Sequence, residues 1–157
     1  MRAATTSRRA SRLGRLQSAI ATLVERHSRY VLLADLPNGR TGEDVKNALT
    51  RLVATLPAQL CKTLTCDQGR EMTGHVSFTV DTGLQVYFCN PHSPWPRGSN
   101  ENTIWLLRQF FPRSTDLNRK TQDDLGEIAR LLNNRPRQTL NWMRPSGVFN
   151  RAVASTG

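Results

Sequence analysis

Acidic residues are scarce in this chain relative to basic ones. Of its 157 residues, 12 are Asp or Glu and 22 are Lys or Arg, which gives a formal net charge of +10. A surplus of this size predicts a polyanionic partner, most simply nucleic acid. The alternative is a basic soluble protein with no such partner.

Long hydrophobic runs are also missing. The apolar runs are far shorter than a membrane span, and the arginine-rich N-terminus has no hydrophobic segment of the secretory type. We therefore expect a cytoplasmic protein that has no membrane partner.

Cysteine is rare, with only Cys61, Cys66 and Cys89 present. An odd number without an export signal favours reduced thiols. Together with His92, the three cysteines supply four zinc-type ligands, so a structural zinc site is an alternative. Cys66 and Cys89 each close an apolar strand, where cysteine is an ordinary core residue.

Residues 1–16 contain five arginines and no acid, and they show no strand or helix period. We expect them to form a basic, disordered arm in front of a single domain over residues 17–154. Such an arm could follow phosphates or be a leader without function.

The remaining chain alternates between strand and helix patterns. Two β-branched strands over residues 17–25 and 29–36 predict a hairpin, and Thr41 with Asp44 predicts a helix start. Further strands at 62–66 and 84–89 alternate with helices, one of them beginning at the Thr121–Asp124 pair. This order predicts an α/β fold with a mixed sheet and flanking helices.

Two acids stand at the ends of such elements. Asp67 follows the strand KTLTC, and Glu101 lies in the first turn of a helix that we expect to be capped by Ser99. Taken alone, Asp67 is more often a turn residue and Glu101 a favourable first-turn acid. Two converging carboxylates can instead hold a divalent metal, and we expect these two within about 8 Å of each other.

The same stretches carry a family resemblance. TCDQGREM, TGLQVYFCNPHSPWPRGSNEN and LNNRPRQTLNWMRPSGVF resemble the catalytic half of bacterial insertion-sequence transposases, above all the insertion-sequence-thirty family. That core is similar to ribonuclease H and retroviral integrase, so the resemblance implies a ribonuclease H-like sheet. It covers residues 17 to 150 in order.

The resemblance implies a DDE transposase site, in which two Asp and one Glu hold two Mg²⁺ ions, or Mn²⁺, for phosphoryl transfer. Asp67 matches the second acid and Glu101 the third, so both are implied catalytic and metal-binding residues. DNA, as transposon ends and target, is the implied partner, the implied location is the bacterial nucleoid, and homo-oligomerisation stays open.

The first acid has no counterpart here. Its place in the family's register falls near Ala10, and no Asp or Glu precedes Glu25, which matches a different family glutamate. We therefore expect an incomplete first strand, weakened metal binding and an impaired enzyme. We interpret the chain as a truncated or frame-disrupted transposase. The alternative is a non-catalytic DNA-binding remnant.

Basic and polar residues around this site are candidate DNA contacts, because Arg and Asn commonly bind phosphates. Trp105, where relatives carry small residues, is expected either to pack on the core or to crowd the groove. The segment 130–151 has five arginines and no acid, so it is a DNA-facing surface or merely a solvated one. The predicted DNA-binding residues are Arg97, Asn100, Arg108, Arg135 and Arg137.

Overall fold

A five-stranded mixed sheet with helices on both faces forms the framework of the protein. The computed structural model describes residues 2–7, 19–36, 41–66, 75–88, 97–111 and 120–155. For residues 2–7 and 97–101 the description concerns the backbone.

The strands are β1 (Arg2–Ser7), β2 (Ala19–Val24), β3 (Val31–Leu36), β4 (Thr63–Cys66) and β5 (Gln85–Phe88). The helices are α1 (Gly42–Ala54), α2 (His75–Thr82), α3 (Arg97–Phe110), α4 (Gln122–Asn133) and α5 (Pro145–Ala154).

The order of strands in the sheet is β3-β2-β1-β4-β5. Strands β1, β2 and β3 pair antiparallel, whereas β4 pairs parallel to both β1 and β5. The predicted hairpin is confirmed, because β2 and β3 pair along their full length, from Ala19 with Leu36 to Val24 with Val31. The sheet is therefore mixed, as predicted.

Strand β1 corrects the sequence prediction for the N-terminus. Residues 2–7 were expected to be part of a disordered arm and the first strand to be incomplete, yet Arg2–Ser7 is the central strand of the sheet. The segment RAATTS has weak strand propensity of its own. Pairing on both sides, with β2 and β4, supplies the stabilisation that the local sequence lacks. The rest of the predicted arm lies outside the described residues.

One face of the sheet is covered by α1 and α2. Helix α1 begins as predicted, with the Thr41 side chain accepting a hydrogen bond from the Asp44 backbone N–H at 3.2 Å. A Lys46–Asp81 ion pair of 2.7 Å joins α1 to α2. The buried apolar side chains of this layer include Leu23, Leu36, Val45, Leu49, Leu64 and Phe78.

The opposite face is covered by α3 and α4. The predicted Thr121–Asp124 capping box is present at the start of α4, with both reciprocal hydrogen bonds formed. Helix α3 begins at Arg97, two residues before the expected start, so Ser99 is a helical residue and Glu101 lies in the second turn. The buried apolar side chains here include Ile20, Leu33, Leu107, Phe111, Leu125 and Leu132.

The end of α4 is fixed to the hairpin by one side chain. Asn133 is only 3% exposed, and its amide donates to the Val31 carbonyl and accepts from the Val31 N–H, each at 2.8 Å. Nearby, the rings of Tyr30 and Phe149 stack with centroids 4.3 Å apart, which connects α5 to the same end of the hairpin. These contacts hold the loop between α4 and α5 against the sheet.

Replacing Asn133 tests this connection. Asn133→Ala should lower the free energy of unfolding by about 2–4 kcal/mol, because it leaves two buried backbone groups of Val31 without partners. Asn134→Ala, next to it but exposed, is the control and should cost less than about 1 kcal/mol. Urea unfolding measures both, and equal losses in the two variants would contradict the role given to Asn133.

Candidate active site and nucleic-acid interface

The carboxyl end of β4 is where the sequence places the first of the two candidate acids. Cys66 is buried, ends β4 and pairs with Ala3 of β1. The residue that follows it in the chain is Asp67, which lies outside the described residues. The described end of β4 therefore borders the central strand of the sheet.

Glu101 belongs to α3. Its backbone lies in the second turn of the helix, and its side chain lies outside the described residues. Residues at i+4 and i+7 share a helical stripe with residue i, and for Glu101 these are Trp105 and Arg108. Both are exposed, Trp105 at 59%. Trp105 thus does not pack on the core.

The central strand supplies no carboxylate, because Arg2–Ser7 contains neither Asp nor Glu. Within the described ranges, no three His, Cys, Asp or Glu residues group as a metal site. The residues of β1 therefore do not fit the three-carboxylate set that the resemblance implies.

A buried hydroxyl marks the same part of the sheet. Thr22 is 1% exposed, pairs with Ala4 across the β1–β2 ladder, and its Oγ1 has no hydrogen-bond partner among the described residues. A buried hydroxyl without a partner costs about 1–3 kcal/mol. Thr22 is on the face that also carries Ile20 and Val24, which pack against α3 and α4.

Glu25 is committed to the hairpin turn. Its carboxylate accepts the backbone N–H of His27 at 2.9 Å and of Ser28 at 2.6 Å, together with the Ser28 hydroxyl. Burial opposes ionisation of Glu25, but the hydrogen bonds from Ser28 and His27 outweigh it and hold the pKa below its usual value. The Glu25 carboxylate is therefore engaged in hydrogen bonds within the hairpin turn, and that it does not replace the missing acid stays a prediction.

The predicted DNA-binding residues fall into three groups. Arg97 and Asn100 lie in the first turn of α3, and their side chains are outside the described residues. Arg108 and Arg135 are exposed, and Arg135 donates to the Gln109 side chain at 3.0 Å. Arg137 differs, being only 8% exposed, so it is not part of a solvated face.

Two features at these sites were not predicted from the sequence. Ala4 lies in a strand that showed no period, and Arg29, in the hairpin turn, is among the charges that lower the pKa of Arg137. Neither residue stands in a motif. Only the positive charge of Arg29 offered a signal, and charge without a contact does not define a site.

The cysteines show the features of core residues rather than of zinc ligands. Cys66 is buried in the core, and burial raises the pKa of the half-buried Cys61 thiol, which disfavours the thiolate that binds zinc. Cys89 and His92, the other two residues of the zinc alternative, lie outside the described residues.

The architecture is similar to that of a retroviral integrase catalytic core. The catalytic core domain of BIV integrase superimposes with a TM-score of 0.69, covering 99% of this chain and 97% of that chain at 16% sequence identity. That likeness establishes the ribonuclease H-like fold that the sequence predicted. The Integrase core domain family matches residues 5–94. The chain belongs to the integrase core domain family.

Curated relatives extend the similarity to the C-terminal part of the chain. The transposase InsI for insertion sequence element IS30A of Escherichia coli (strain K12) is 49% identical over 143 residues, which are 91% of this chain and 37% of the relative. The transposase for insertion sequence element IS1086 of Cupriavidus metallidurans is 49% identical over 139 residues, 88% of this chain and 41% of the relative. The predicted resemblance to insertion-sequence-thirty transposases is confirmed. The chain spans about two fifths of the length of these relatives.

The Glu25 hydrogen bonds predict a pH dependence of stability. The pKa is lowered in the folded state, so the ionised carboxylate contributes stability above its ordinary pKa of about 4.5, and this contribution is lost as the pH falls through the folded value. Glu25→Gln should therefore be clearly less stable than the parent at pH 7, and the gap should narrow at acidic pH.

Thermal unfolding between pH 3 and pH 7 measures that gap. Glu43→Gln, which removes an exposed carboxylate in α1, serves as the matched control and should show a smaller difference from the parent. A Glu25→Gln deficit that does not change with pH would contradict the assignment.

Proposed function

We propose that this chain is the catalytic-core part of an insertion-sequence transposase, acting on DNA, in which metal-dependent phosphoryl transfer is impaired. Family membership, the names of the relatives and the net charge of +10 support the transposase part of this proposal. The impairment rests on one observation, the absence of any carboxylate from the central strand β1.

The strand register indicates where the missing acid would stand. Ala3 pairs with Cys66 in the parallel β1–β4 ladder. Continuation of this ladder by one step along both chains would bring Ala4 level with Asp67, and alternation would then put these two positions on one face of the sheet. Ala4 also pairs with Thr22, whose face α3 covers. The proposed place of the missing acid is therefore Ala4 instead of Ala10, where the ungapped sequence register had put it.

The proposed site then retains Asp67 and Glu101 as its acids. Mg²⁺ requires hard oxygen ligands, so removal of one carboxylate weakens its binding, and the same holds for Mn²⁺. Loss of several kcal/mol of transition-state stabilisation slows a reaction roughly a thousandfold or more. We therefore expect no detectable strand transfer by this chain alone.

The second candidate is a non-catalytic DNA-binding protein derived from a transposase. It is favoured by the same basic surface, including the exposed Arg108 and Arg135. The two candidates differ over metal-dependent nicking of DNA that carries the terminal repeats. Nicking by the unmodified chain that is lost in Glu101→Gln would support an intact enzyme and exclude both the impairment and the second candidate.

The proposed domain covers residues 17–154 together with β1, because the sheet is continuous through that strand. No helix in the described ranges has the length and apolar character needed to cross a membrane. We place the protein with bacterial DNA in the cytoplasm, and its homo-oligomerisation is open to direct measurement.

Restoring a carboxylate on β1 tests the proposed site. Ala4→Asp should tighten Mn²⁺ binding at least about tenfold relative to the parent, because a third hard oxygen ligand joins Asp67 and Glu101. Isothermal titration and the metal-induced rise in melting temperature are the measurements. Adding Asp67→Asn to this variant should abolish the gain.

Two variants with the same new side chain are the controls for Ala4→Asp. Ala3→Asp introduces the carboxylate at the position that pairs with Leu23, on the opposite face of the sheet. Ala10→Asp introduces it where the alignment of the sequence with the family had placed the missing acid. Neither should tighten Mn²⁺ binding. A gain in Ala10→Asp without one in Ala4→Asp would refute the register argument.

DNA binding should be weakly sequence-specific and strongly salt-dependent. Duplex DNA of unrelated sequences should bind with similar affinity. The affinity should fall steeply between about 50 and 200 mM salt, because arginine side chains that bind the DNA phosphates release the counterions bound there. Fluorescence anisotropy against salt concentration measures the slope. A slope near zero would contradict a binding mode based on the basic surface.

A further inference from the structure

An exposed tryptophan stands in the loop between α4 and α5. Trp142 is 71% exposed, although tryptophan is on average a largely buried residue. We propose that Trp142 is a stacking surface for an unpaired base of single-stranded DNA, and that Arg144 and Arg151 bind the phosphates beside that base. The choice of DNA as the nucleic acid rests on the proposed function.

The backbone of Trp142 has a conformation that disfavours a large side chain. Its φ angle is 64°, in the left-handed region, where bulky residues are rare. Asn141 before it has a φ angle of 51°, but asparagine tolerates this region. An exposed ring adds little packing to offset the backbone cost, so local stability does not explain a tryptophan at this position. Backbone strain of this kind is concentrated at functional sites.

Hydrogen bonds hold the loop around Trp142 in one conformation. The Trp142 N–H donates to the Arg137 carbonyl at 2.9 Å, and the Arg137 N–H donates to the Met143 carbonyl at 3.1 Å. The Met143 N–H donates in turn to the carbonyl of the buried Leu140 at 3.0 Å. Because the loop is already ordered, less conformational freedom is lost when a ligand binds to the ring.

Two exposed arginines accompany this ring. Arg144 is two residues after Trp142 and is the N-cap residue of α5. Arg151 of α5 donates from Nη1 to the sulfur of Met143, the neighbour of Trp142, at 3.6 Å. Within the part of the chain that the structure describes, neither arginine forms an ion pair with a carboxylate. Their charges are therefore available to phosphates of a strand that crosses the ring.

The chemistry of this surface fits a single-stranded nucleic acid. From residue 128 to residue 157 the chain has five arginines and no acid, which favours an anionic partner. Proteins bind single strands with aromatic rings beside basic groups, because every base has a π-face and every nucleotide has a phosphate. In a duplex the bases are stacked on each other, so only an unpaired base can lie on the indole.

Single strands with and without bases test the stacking on the whole chain. A strand of thymidines about a dozen nucleotides long should bind at least about fivefold more tightly than a strand of abasic sites of equal length. Both strands carry the same phosphates, so the difference reports the bases alone. Fluorescence anisotropy of the labelled strands, without divalent metal, gives both affinities independently of the two proposed acids.

Two variants of Trp142 separate the ring from the backbone. Trp142→Asn removes the ring but keeps a residue that tolerates the left-handed conformation, so it should bind the two strands equally, to within about twofold. Trp142→Phe keeps an aromatic ring and should retain most of the preference for thymidines. Both variants should melt close to the parent, because the replaced side chain is exposed.

Tyr87→Leu is the matched control, because it removes another exposed aromatic ring, from the edge strand β5. It should keep the full preference for thymidines. Arg144→Gln and Arg151→Gln should weaken the binding of both strands by similar factors, because they act on phosphates. Each should cost more affinity than Arg51→Gln, which removes an exposed charge from α1.

The parent chain and duplex DNA separate this stacking from the proposed function. Binding to duplex DNA without any preference for thymidines over abasic sites would overturn the stacking and leave the proposed function intact. An equal loss of preference in Trp142→Asn and Tyr87→Leu would also overturn it, and tighter binding of uridine ribonucleotides than of thymidines would overturn the choice of DNA. A chain that binds neither duplex nor single strands would contradict both the stacking and the DNA partner of the proposed function.

Discussion

Backbone hydrogen bonding of β1 on both of its edges holds the sheet together. Its antiparallel pairing with β2 attaches the hairpin, and its parallel pairing with β4 attaches β4 and β5. Without β1 the sheet would divide into two separate pairs of strands, and an isolated pair is only marginally stable. The helices on the two faces depend on the same strand, since each layer packs on a continuous sheet.

The same strand determines what the site can do. The site that we propose lies at the parallel strands β1 and β4, on the face of the sheet that α3 covers. The central strand has Ala4 where we propose that the missing carboxylate would stand, and the buried hydroxyl of Thr22, the pairing partner of Ala4, has no hydrogen-bond partner among the described residues. Fold and chemistry are thus separable in this chain, because backbone pairing does not depend on the identity of the side chain.

Elements with strong local signals were predictable from the sequence. The hairpin, the Thr41 cap and the Thr121–Asp124 capping box depend on neighbouring residues, and the structure contains all of them. Strand β1 was not predictable, because RAATTS shows no alternation and its order comes from partners 12 or more residues away. The start of α3 was misplaced by two residues, since Ser99 is a plausible cap but Arg97 already has helical backbone.

The burial of the arginines was likewise not predictable from the local sequence. Charge alone grouped Arg135 with Arg137 as a surface, whereas the contacts of the folded chain bury one and expose the other. Asn133 holds the end of α4, just before both arginines, against the hairpin through its two hydrogen bonds to Val31. A contact between residues 102 positions apart cannot be read from local pattern.

Amide hydrogen exchange across Arg2–Ser7 tests the central claim most directly. If β1 is the middle strand of the sheet, its paired amides should be protected to a degree close to those of β2, since both lose protection only when the sheet opens. Exchange of residues 2–7 at the rate of an unstructured chain, with β2 still protected, would contradict the account and restore the expectation of a disordered N-terminal arm.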